Sequence, residues 1–533
     1  MSAAINQILL WKLETSSAAD FHLTEDAIAQ SLRSHLIPFL FPSKDGPRPR
    51  LDILQALAQL VEAQRELDSF LSASVGAFCY DDSISFVLRG EQMEIVERDP
   101  AARAAWNRNG EKLARLHGYW FHRAIDSFAS SPAATQRFGS PENHEENRVA
   151  YIKAIRSKLQ LQEVYGLDQS VQVETGLRVD LFQALLSLEL MTAFFNKAYL
   201  RPFSQHLERT GDWRLALTYL AMGGLLEPSM ENRFPLTWSD RDTKVQRICG
   251  WTVTDASPKG DPKAAGAILD FWTSDLKALA ERLKRGDQAP VPELHERPLL
   301  KMGRYLFQLP WLVAIQNNST AALNNLRRIG ARRSEGRDET QRIERRLGEA
   351  FERRGFKVVT NFHPLRTETE DPGDVDLIAS RDGQVIVLEV KSTFLRSSTK
   401  EAWLHKTSTL RKAGLQLARK MRAVADAIES DDGLRHVLGL QADGAPPTLH
   451  GWIADTSIED DHERFSGFLK VSIEEILIGL RDDRHLLVSL GDLLASMADD
   501  APTARQGGER PLYGDGFSVG RFVAVIEREE IWA

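Results

Sequence analysis

Hydrophobic residues recur at helical spacing through most of the first 330 residues. Two stretches follow this pattern clearly, residues 51–61 and 181–191. Residues 77–96 alternate as strands do, with Gly90 at a turn. Residues 299–328 predict a helical stretch that is interrupted at Pro310. The apolar run at 215–226 predicts a buried helix, because a bilayer span needs about 20 residues.

After an Arg-rich connector at 327–337, the pattern becomes a mixture of helix and strand. Gly355 ends the first helix, and Arg381-Asp382-Gly383 predicts a tight hairpin. The predicted helices cover residues 338–354, 408–428, 473–480 and 487–497, and the predicted strands cover residues 356–361, 374–380, 384–391, 449–455 and 517–526.

The predicted fold class is therefore α+β and multidomain. A large, mainly α-helical region spans residues 1–330, with an internal break expected near 130–145 or 255–262. Residues 331–533 are expected to form an α/β core, a mixed sheet flanked by helices, with a C-terminal extension.

Composition narrows the class of protein. The 533 residues are 42% hydrophobic and 27% charged, which is typical of globular domains rather than disordered chains. Cys79 and Cys249 are too few for a disulfide framework or a Cys-based zinc finger. The chain also has no signal-peptide pattern and no Walker-type phosphate loop, so we expect a cytoplasmic protein without membrane association or ATPase chemistry.

The segment that indicates chemistry begins at Gly373-Asp374-Val375-Asp376 and ends at Glu389-Val390-Lys391. Glu389 and Lys391 are two positions apart on a predicted strand, so their side chains leave the same face. The hairpin can set Asp376 beside Glu389, where two carboxylates repel one another unless a cation relieves the repulsion. Oxygen-only ligands favour Mg²⁺ or Mn²⁺.

An ammonium beside such a metal site makes the chemistry more specific. Lys391 can orient an attacking water or offset the charge of a phosphorane-like transition state. The reaction that uses two carboxylates, a divalent ion and a lysine in this way is metal-assisted phosphodiester hydrolysis.

These residues resemble the PD-(D/E)xK, restriction-endonuclease-like nuclease superfamily over residues 338–460. The resemblance implies that Asp376 and Glu389 bind metal, that Lys391 is catalytic, and that the Val390 backbone carbonyl is an extra ligand. It also matches Glu344 to the family's helical Glu, catalytic and a less certain metal ligand, and Gln416 to a catalytic Gln of RecB-like members. The sequence departs from the family in that no Pro directly precedes either Asp.

Each motif also has a structural explanation. A Glu-x-Lys pair on a strand is often a surface ion pair worth about 0–1 kcal/mol. Glu344 shares its helix with Glu349 and Glu352, so a solvated face is possible. Gln416 lies on a stripe with Lys412 and Lys420, which can be plain surface or can face phosphates.

Charge is unevenly distributed along the chain. The whole chain has a net charge of −8, yet residues 327–425 hold 22 Lys/Arg and only 14 Asp/Glu. A basic segment around an acidic metal site suits a nucleic-acid groove. A solvated helix face is the alternative. The residues expected to contact nucleic acid are Lys406, Arg411, Lys412, Arg419 and Lys420.

The sequence therefore predicts a metal-dependent nuclease, most simply a DNA endonuclease, with bacterial antiphage defence as the expected setting. A repair or recombination nuclease has the same design. Two alternatives from another class stay open, a non-cleaving nucleic-acid-binding module and a partner-binding protein that keeps the nuclease fold. Residues 1–330 are expected to act in sensing, self-association or binding of a protein partner.

Overall fold

The computed structural model describes residues 84–212, 238–254, 256–286, 296–303, 305–308, 317–332, 336–365, 371–392, 399–441, 445–487 and 511–533, with the single residues 63, 64, 67, 215, 216 and 219. The fold is mixed α/β, which confirms the coarse fold class of the prediction. No helix in these ranges is both long enough and apolar enough to cross a membrane.

The helices of the described residues are numbered in chain order. They are α1 Pro100–Ala129, α2 His144–Val164, α3 Leu181–Phe195, α4 Arg201–Thr210, α5 Arg241–Cys249, α6 Pro262–Phe271, α7 Leu276–Lys284, α8 Asn318–Arg332, α9 Gly336–Arg353, α10 Thr399–Leu404, α11 Arg411–Ser430, α12 Asp432–Val437, α13 Ile473–Arg481 and α14 Val519–Glu527. Short π-helical segments, Asn196–Leu200 and His405–Leu410, precede α4 and α11.

The strands are β1 Ile84–Arg89, β2 Gln92–Glu97, β3 Ser170–Gln172, β4 Arg178–Asp180, β5 Trp238–Asp240, β6 Thr273–Asp275, β7 Leu299–Met302, β8 Tyr305–Gln308, β9 Lys357–Phe362, β10 Val375–Arg381, β11 Gln384–Lys391, β12 Thr448–Asp455, β13 Arg464–Phe465 and β14 Phe468–Ser472. They form two hairpins, β1-β2 and β3-β4, a four-stranded sheet in the order β5-β8-β7-β6, and a six-stranded sheet in the order β13-β14-β12-β11-β10-β9.

The chain divides into two compact units, each of them discontinuous in sequence. Unit 1 consists of residues 1–75, 130–158 and 168–329, and unit 2 consists of residues 76–129, 159–167 and 330–533. In unit 1, α3 has a largely buried apolar surface, and Trp272 donates from its indole to the carbonyl of Ala184 at 3.0 Å.

Unit 2 contains the six-stranded mixed sheet. β9, β10 and β11 are antiparallel neighbours, whereas β12 runs parallel to both β11 and β14. Val385 and Val387 face a core formed with α11 and α12, to which Leu417 and Val424 also belong. Because successive side chains of a strand point to opposite faces, Leu388 and Trp452 face the other side. There Phe522 of α14 packs its ring against Trp452.

Several sequence predictions are confirmed in these ranges. The hairpin β1-β2 turns at Gly90, where φ is 66°. The hairpin β10-β11 turns at Asp382 and Gly383, both of which have positive φ. The helix predicted at 338–354 is α9, and Gly355 follows it with φ of 86°.

Two predictions are wrong. The stretch 299–308, predicted as part of a helix, forms β7 and β8 around Gly303, where φ is 62°. The final strand predicted at 517–526 is the helix α14, capped by the Ser518 hydroxyl accepting from the Arg521 N–H. Val519, Phe522, Val523 and Ile526 are buried at helical spacing there. The predicted helices at 51–61 and 487–497 lie outside the described residues, apart from Leu487.

Candidate active site

Asp376, Glu389 and Lys391 meet at one end of the sheet. Asp376 is the second residue of β10, and the other two close β11. Leu377 pairs with Leu388 in the antiparallel register, so Asp376 and Glu389 are the next opposing positions. A two-residue turn at the far end of the hairpin fixes this register, which is why the sequence brings the carboxylates together.

The strand ends are tied together by hydrogen bonds. The ammonium of Lys391 donates to Oε1 of Glu389 at 2.5 Å. The N–H of Val390 donates to Oδ2 of Asp376 at 2.7 Å. Val390 thus contacts Asp376 through its amide, and its carbonyl as a metal ligand stays a prediction. Glu389 is almost entirely buried, whereas the side chain of Lys391 keeps 22% of its surface exposed.

Lys420 occupies a position that the sequence did not predict. It was expected to contact nucleic acid from a stripe that is either plain surface or faces phosphates. Instead it is buried, and its ammonium lies between the two carboxylates. The Nζ atom donates to Oδ1 of Asp376 at 2.8 Å and also to Oε2 of Glu389. α11 delivers this side chain, since the apolar face of the helix packs on the sheet beside β11.

Burial and mutual repulsion perturb the acids of the site. Burial raises the pKa of Asp376, and the charge of Glu389 raises it further, while Lys420 and the Val390 N–H oppose the rise. Burial likewise raises the pKa of Glu344, with the charges of Asp376 and Glu389 adding to it, to about 7. Glu344 lies on α9 and is 7% exposed, so it belongs to the buried cluster rather than to a solvated face.

Gln416 lies one helical turn before Lys420 on α11, and Lys412 lies one turn earlier still. Burial increases along this stripe, because Lys412 is exposed, Gln416 is half-buried and Lys420 is buried. The stripe therefore leads from solvent to the carboxylates.

The other residues expected to contact nucleic acid differ in their availability. Arg411 is exposed like Lys412, and Arg419 is half-buried. Lys406 contacts Glu463 at 2.6 Å and Asp460 at 3.2 Å, so its charge already has partners. Arg411 and Lys412 are thus the members of this group best placed to meet an external phosphate.

A buried carboxylate beside Lys391 was missed by sequence reasoning. Asp455 ends β12 directly opposite Lys391 in the parallel register. It contacts Nε2 of His405 at 2.7 Å and accepts from the Ser457 hydroxyl at 3.1 Å. The available signal was its position at the end of an apolar strand, but nothing local links it to His405, 50 residues earlier in the chain.

A second buried cluster of charged residues lies at His462. It does not include the carboxylates of β10 and β11. Lys470 contacts Asp461 at 2.5 Å, and His462 contacts Glu475 at 2.9 Å. The indole of Trp532 donates to the same Glu475 at 2.6 Å. His462 has a φ of 66°, in the left-handed region. The cluster joins the C-terminal residues to α13.

The donor set at Asp376 and Glu389 fits a small divalent ion. Among the described residues, no group of three or more His, Cys, Asp and Glu side chains is arranged to hold a metal. Mg²⁺, however, commonly takes one or two protein carboxylates and keeps water in its other positions. Asp376 and Glu389 meet this requirement, since each already turns an oxygen toward one shared cation, the Lys420 ammonium.

Comparison with protein-family models, with curated proteins and with solved structures finds no match for this chain.

Proposed function

We propose that this protein is a metal-dependent nuclease of the PD-(D/E)xK type and that its substrate is DNA. The observation that carries the proposal is the convergence of Asp376 and Glu389 on one cation, with the Lys391 ammonium hydrogen-bonded to Glu389. These groups stand at the strand ends of a mixed sheet with helices on both faces, the framework expected for a restriction-endonuclease-like core.

The chain's own residues have distinct tasks in this proposal. Asp376 and Glu389 would hold one or two Mg²⁺ or Mn²⁺ ions, which supply Lewis-acid activation of water and phosphate. Lys391 orients the attacking water or stabilises the charge that develops on the phosphate. Arg411 and Lys412 bind the backbone of the nucleic acid through their exposed charges.

The decisive experiment compares Lys391→Ala with wild type on supercoiled, linear and single-stranded DNA and on RNA, with Mg²⁺, Mn²⁺ or EDTA. We expect Mg²⁺-dependent cleavage of DNA that falls by at least about 100-fold in the variant, because a group that stabilises the transition state is removed. Lys357→Ala is the matched control, since Lys357 is an exposed lysine on β9. Equal rates for Lys391→Ala and wild type would refute the assignment.

One observation favours a non-cleaving module as the second candidate. Lys391 and Lys420 supply two positive charges to Asp376 and Glu389, so the cluster is balanced without a metal. A protein of this kind would bind nucleic acid equally well in Mg²⁺ and in EDTA and would cut none of the four substrates.

A further inference from the structure

Lys420 competes for the ligands that the proposed function assigns to a metal. Its ammonium reaches one oxygen of Asp376 and one of Glu389, and its side chain is only 6% exposed. The two carboxylates are brought together by the strand register, whereas Lys420 arrives from α11 on a flexible four-carbon stem. The cation can therefore leave while the carboxylates stay in place.

Charge explains why an internal cation is needed here. Two adjacent buried carboxylates repel each other, and a buried ammonium is equally unfavourable when it has no partner. Each side of this arrangement compensates the other, so the metal-free site is stable without a bound ion. A divalent cation brings a larger charge to the same oxygens and would face a like charge if the ammonium remained.

We propose that Lys420 is an internal counterion which neutralises Asp376 and Glu389 before a divalent metal binds, and that the metal displaces its ammonium. Lys420 is then a positioning residue that sets the metal affinity of the site. This inference rests on the proposed function, because it takes Asp376 and Glu389 as the metal ligands.

The displaced ammonium has a direction in which to move. Gln416 and Lys412 continue the stripe of α11 toward solvent, and exposure increases along it. The Lys420 side chain would swing toward Gln416. On that side the exposed charge of Lys412 is available to bind a phosphate of the substrate. Metal loading would thereby add a cation to the substrate-facing side of the site.

The test measures Mn²⁺ binding to the full chain by electron paramagnetic resonance of free Mn²⁺, without substrate. Lys420→Met removes the ammonium and keeps an apolar side chain of similar length. We expect Mn²⁺ to bind this variant at least about tenfold more tightly than wild type, because displacement no longer opposes binding. We also expect a lower melting temperature without metal and a larger rise on adding Mn²⁺ than in wild type. The control is Arg422→Met, which removes an exposed cation from the same helix and should leave Mn²⁺ binding unchanged.

Lys420→Gln is the second variant, because it loses the charge and retains hydrogen-bond donors for the carboxylates. If Lys420→Met folds only in the presence of Mn²⁺, that result supports the proposal. If wild type binds Mn²⁺ and neither variant binds it more tightly, the counterion proposal is overturned and the metal site stands. If Glu389→Gln binds Mn²⁺ as well as wild type, the ligand assignment fails, and both proposals fail with it.

Discussion

Glu344 is the acid whose ionisation depends most on its surroundings in the candidate site. Burial and the nearby charges of Asp376 and Glu389 hold its pKa at about 7, whereas an unperturbed Glu titrates at 4.5. The folded protein therefore favours the neutral form of the Glu344 carboxyl at acidic pH. Ionisation of Glu344 would place a third negative charge in the cluster.

The raised pKa of Glu344 predicts a loss of stability as the pH rises. Between pH 4.5 and about 7 the unfolded chain has released this proton while the folded chain still holds it, so the free energy of unfolding falls with pH. The upper bound is about 3 kcal/mol, from about 1.4 kcal/mol per pH unit. Glu344→Gln does not titrate, so this variant should gain stability relative to wild type from pH 5 to pH 8.

Urea unfolding in EDTA at pH 5, 6, 7 and 8 measures this difference. Glu349→Gln on the same helix is the control, because Glu349 is only half-buried and pairs with Arg346 at 2.6 Å. A difference between Glu344→Gln and wild type that stays constant over this pH range would contradict the prediction.

The sequence could predict the positions of some residues of the site but not of others. Asp376, Glu389 and Lys391 could be grouped because strand period and hairpin register are local properties. Lys420 could not be grouped with them from the sequence, since its spacing from Lys412 also fits a surface stripe. The hydrophobic pattern of α11 does not show where the helix passes the edge of the sheet. Asp455 and His405 were missed because their contact depends on the packing of α11 against β12.

At the scale of helices and strands, the predictions that succeeded are those whose ends are marked by local turn residues. Arg381-Asp382-Gly383 specifies the hairpin β10-β11 within a few residues, and Gly355 ends α9 in the same way. The segments 299–308 and 517–526 failed, because short apolar runs fit helix and strand alike. Contacts with other elements determine the structure of these two segments, because β7 pairs with β6 and α14 packs against Trp452.

The fit of α11 on the sheet depends on Gly414. A methyl group at this position would lie 2.5 Å from the carbonyl oxygen of Phe465, at the end of β13. Gly414→Ala should therefore cost about 1–3 kcal/mol of stability, because the helix or β13 has to shift. The same shift would move Gln416 and Lys420, so Mn²⁺ affinity should change as well.

Gly110→Ala is a matched control for Gly414→Ala in thermal or urea unfolding. Gly110 also lies inside a helix, α1, but a methyl group there meets no atom within 4 Å. This control should be neutral or stabilising by up to about 1 kcal/mol, because Ala favours helix more than Gly. If both variants shift stability by the same amount in the same direction, close packing at Gly414 does not limit the position of α11.

At the scale of the molecule, the unit that carries the sheet is assembled from distant parts of the chain. Residues 76–129 and 159–167 belong to unit 2 together with residues 330–533. The indole of Trp120 on α1 donates to Glu474 on α13 at 2.5 Å, across 354 positions. Arg115 donates to the carbonyl of Trp532 at 2.7 Å. Periodicity and turn signals describe only local order, so no sequence pattern could reveal this assembly.

A chain that begins at residue 331 should therefore be less stable than the same unit within the full protein. It would lack α1 and leave Glu474, which is buried in the full unit, without the Trp120 and Gln160 donors. Losing the donors of a buried carboxylate costs about 1–3 kcal/mol, and loss of the apolar contact of α1 adds to this cost. We expect a lower melting temperature, measured by circular dichroism, and faster amide hydrogen exchange in α13.

Trp120→Phe in the full chain separates the donor from the rest of the helix. It removes the indole N–H and keeps an aromatic ring, so it should lose part of the stability that the truncation loses. Supplying residues 76–167 as a separate chain should slow the exchange in α13 of residues 331–533, because α1 and residues 159–167 are then restored. If residues 331–533 alone melt and exchange like unit 2 of the full protein, α1 is dispensable.

A cleavage assay on that fragment would then be a direct test of the site at Asp376 and Glu389. If the fragment is destabilised as we expect, loss of cleavage by it is no evidence against that site, and Lys391→Ala in the full chain is the variant that decides.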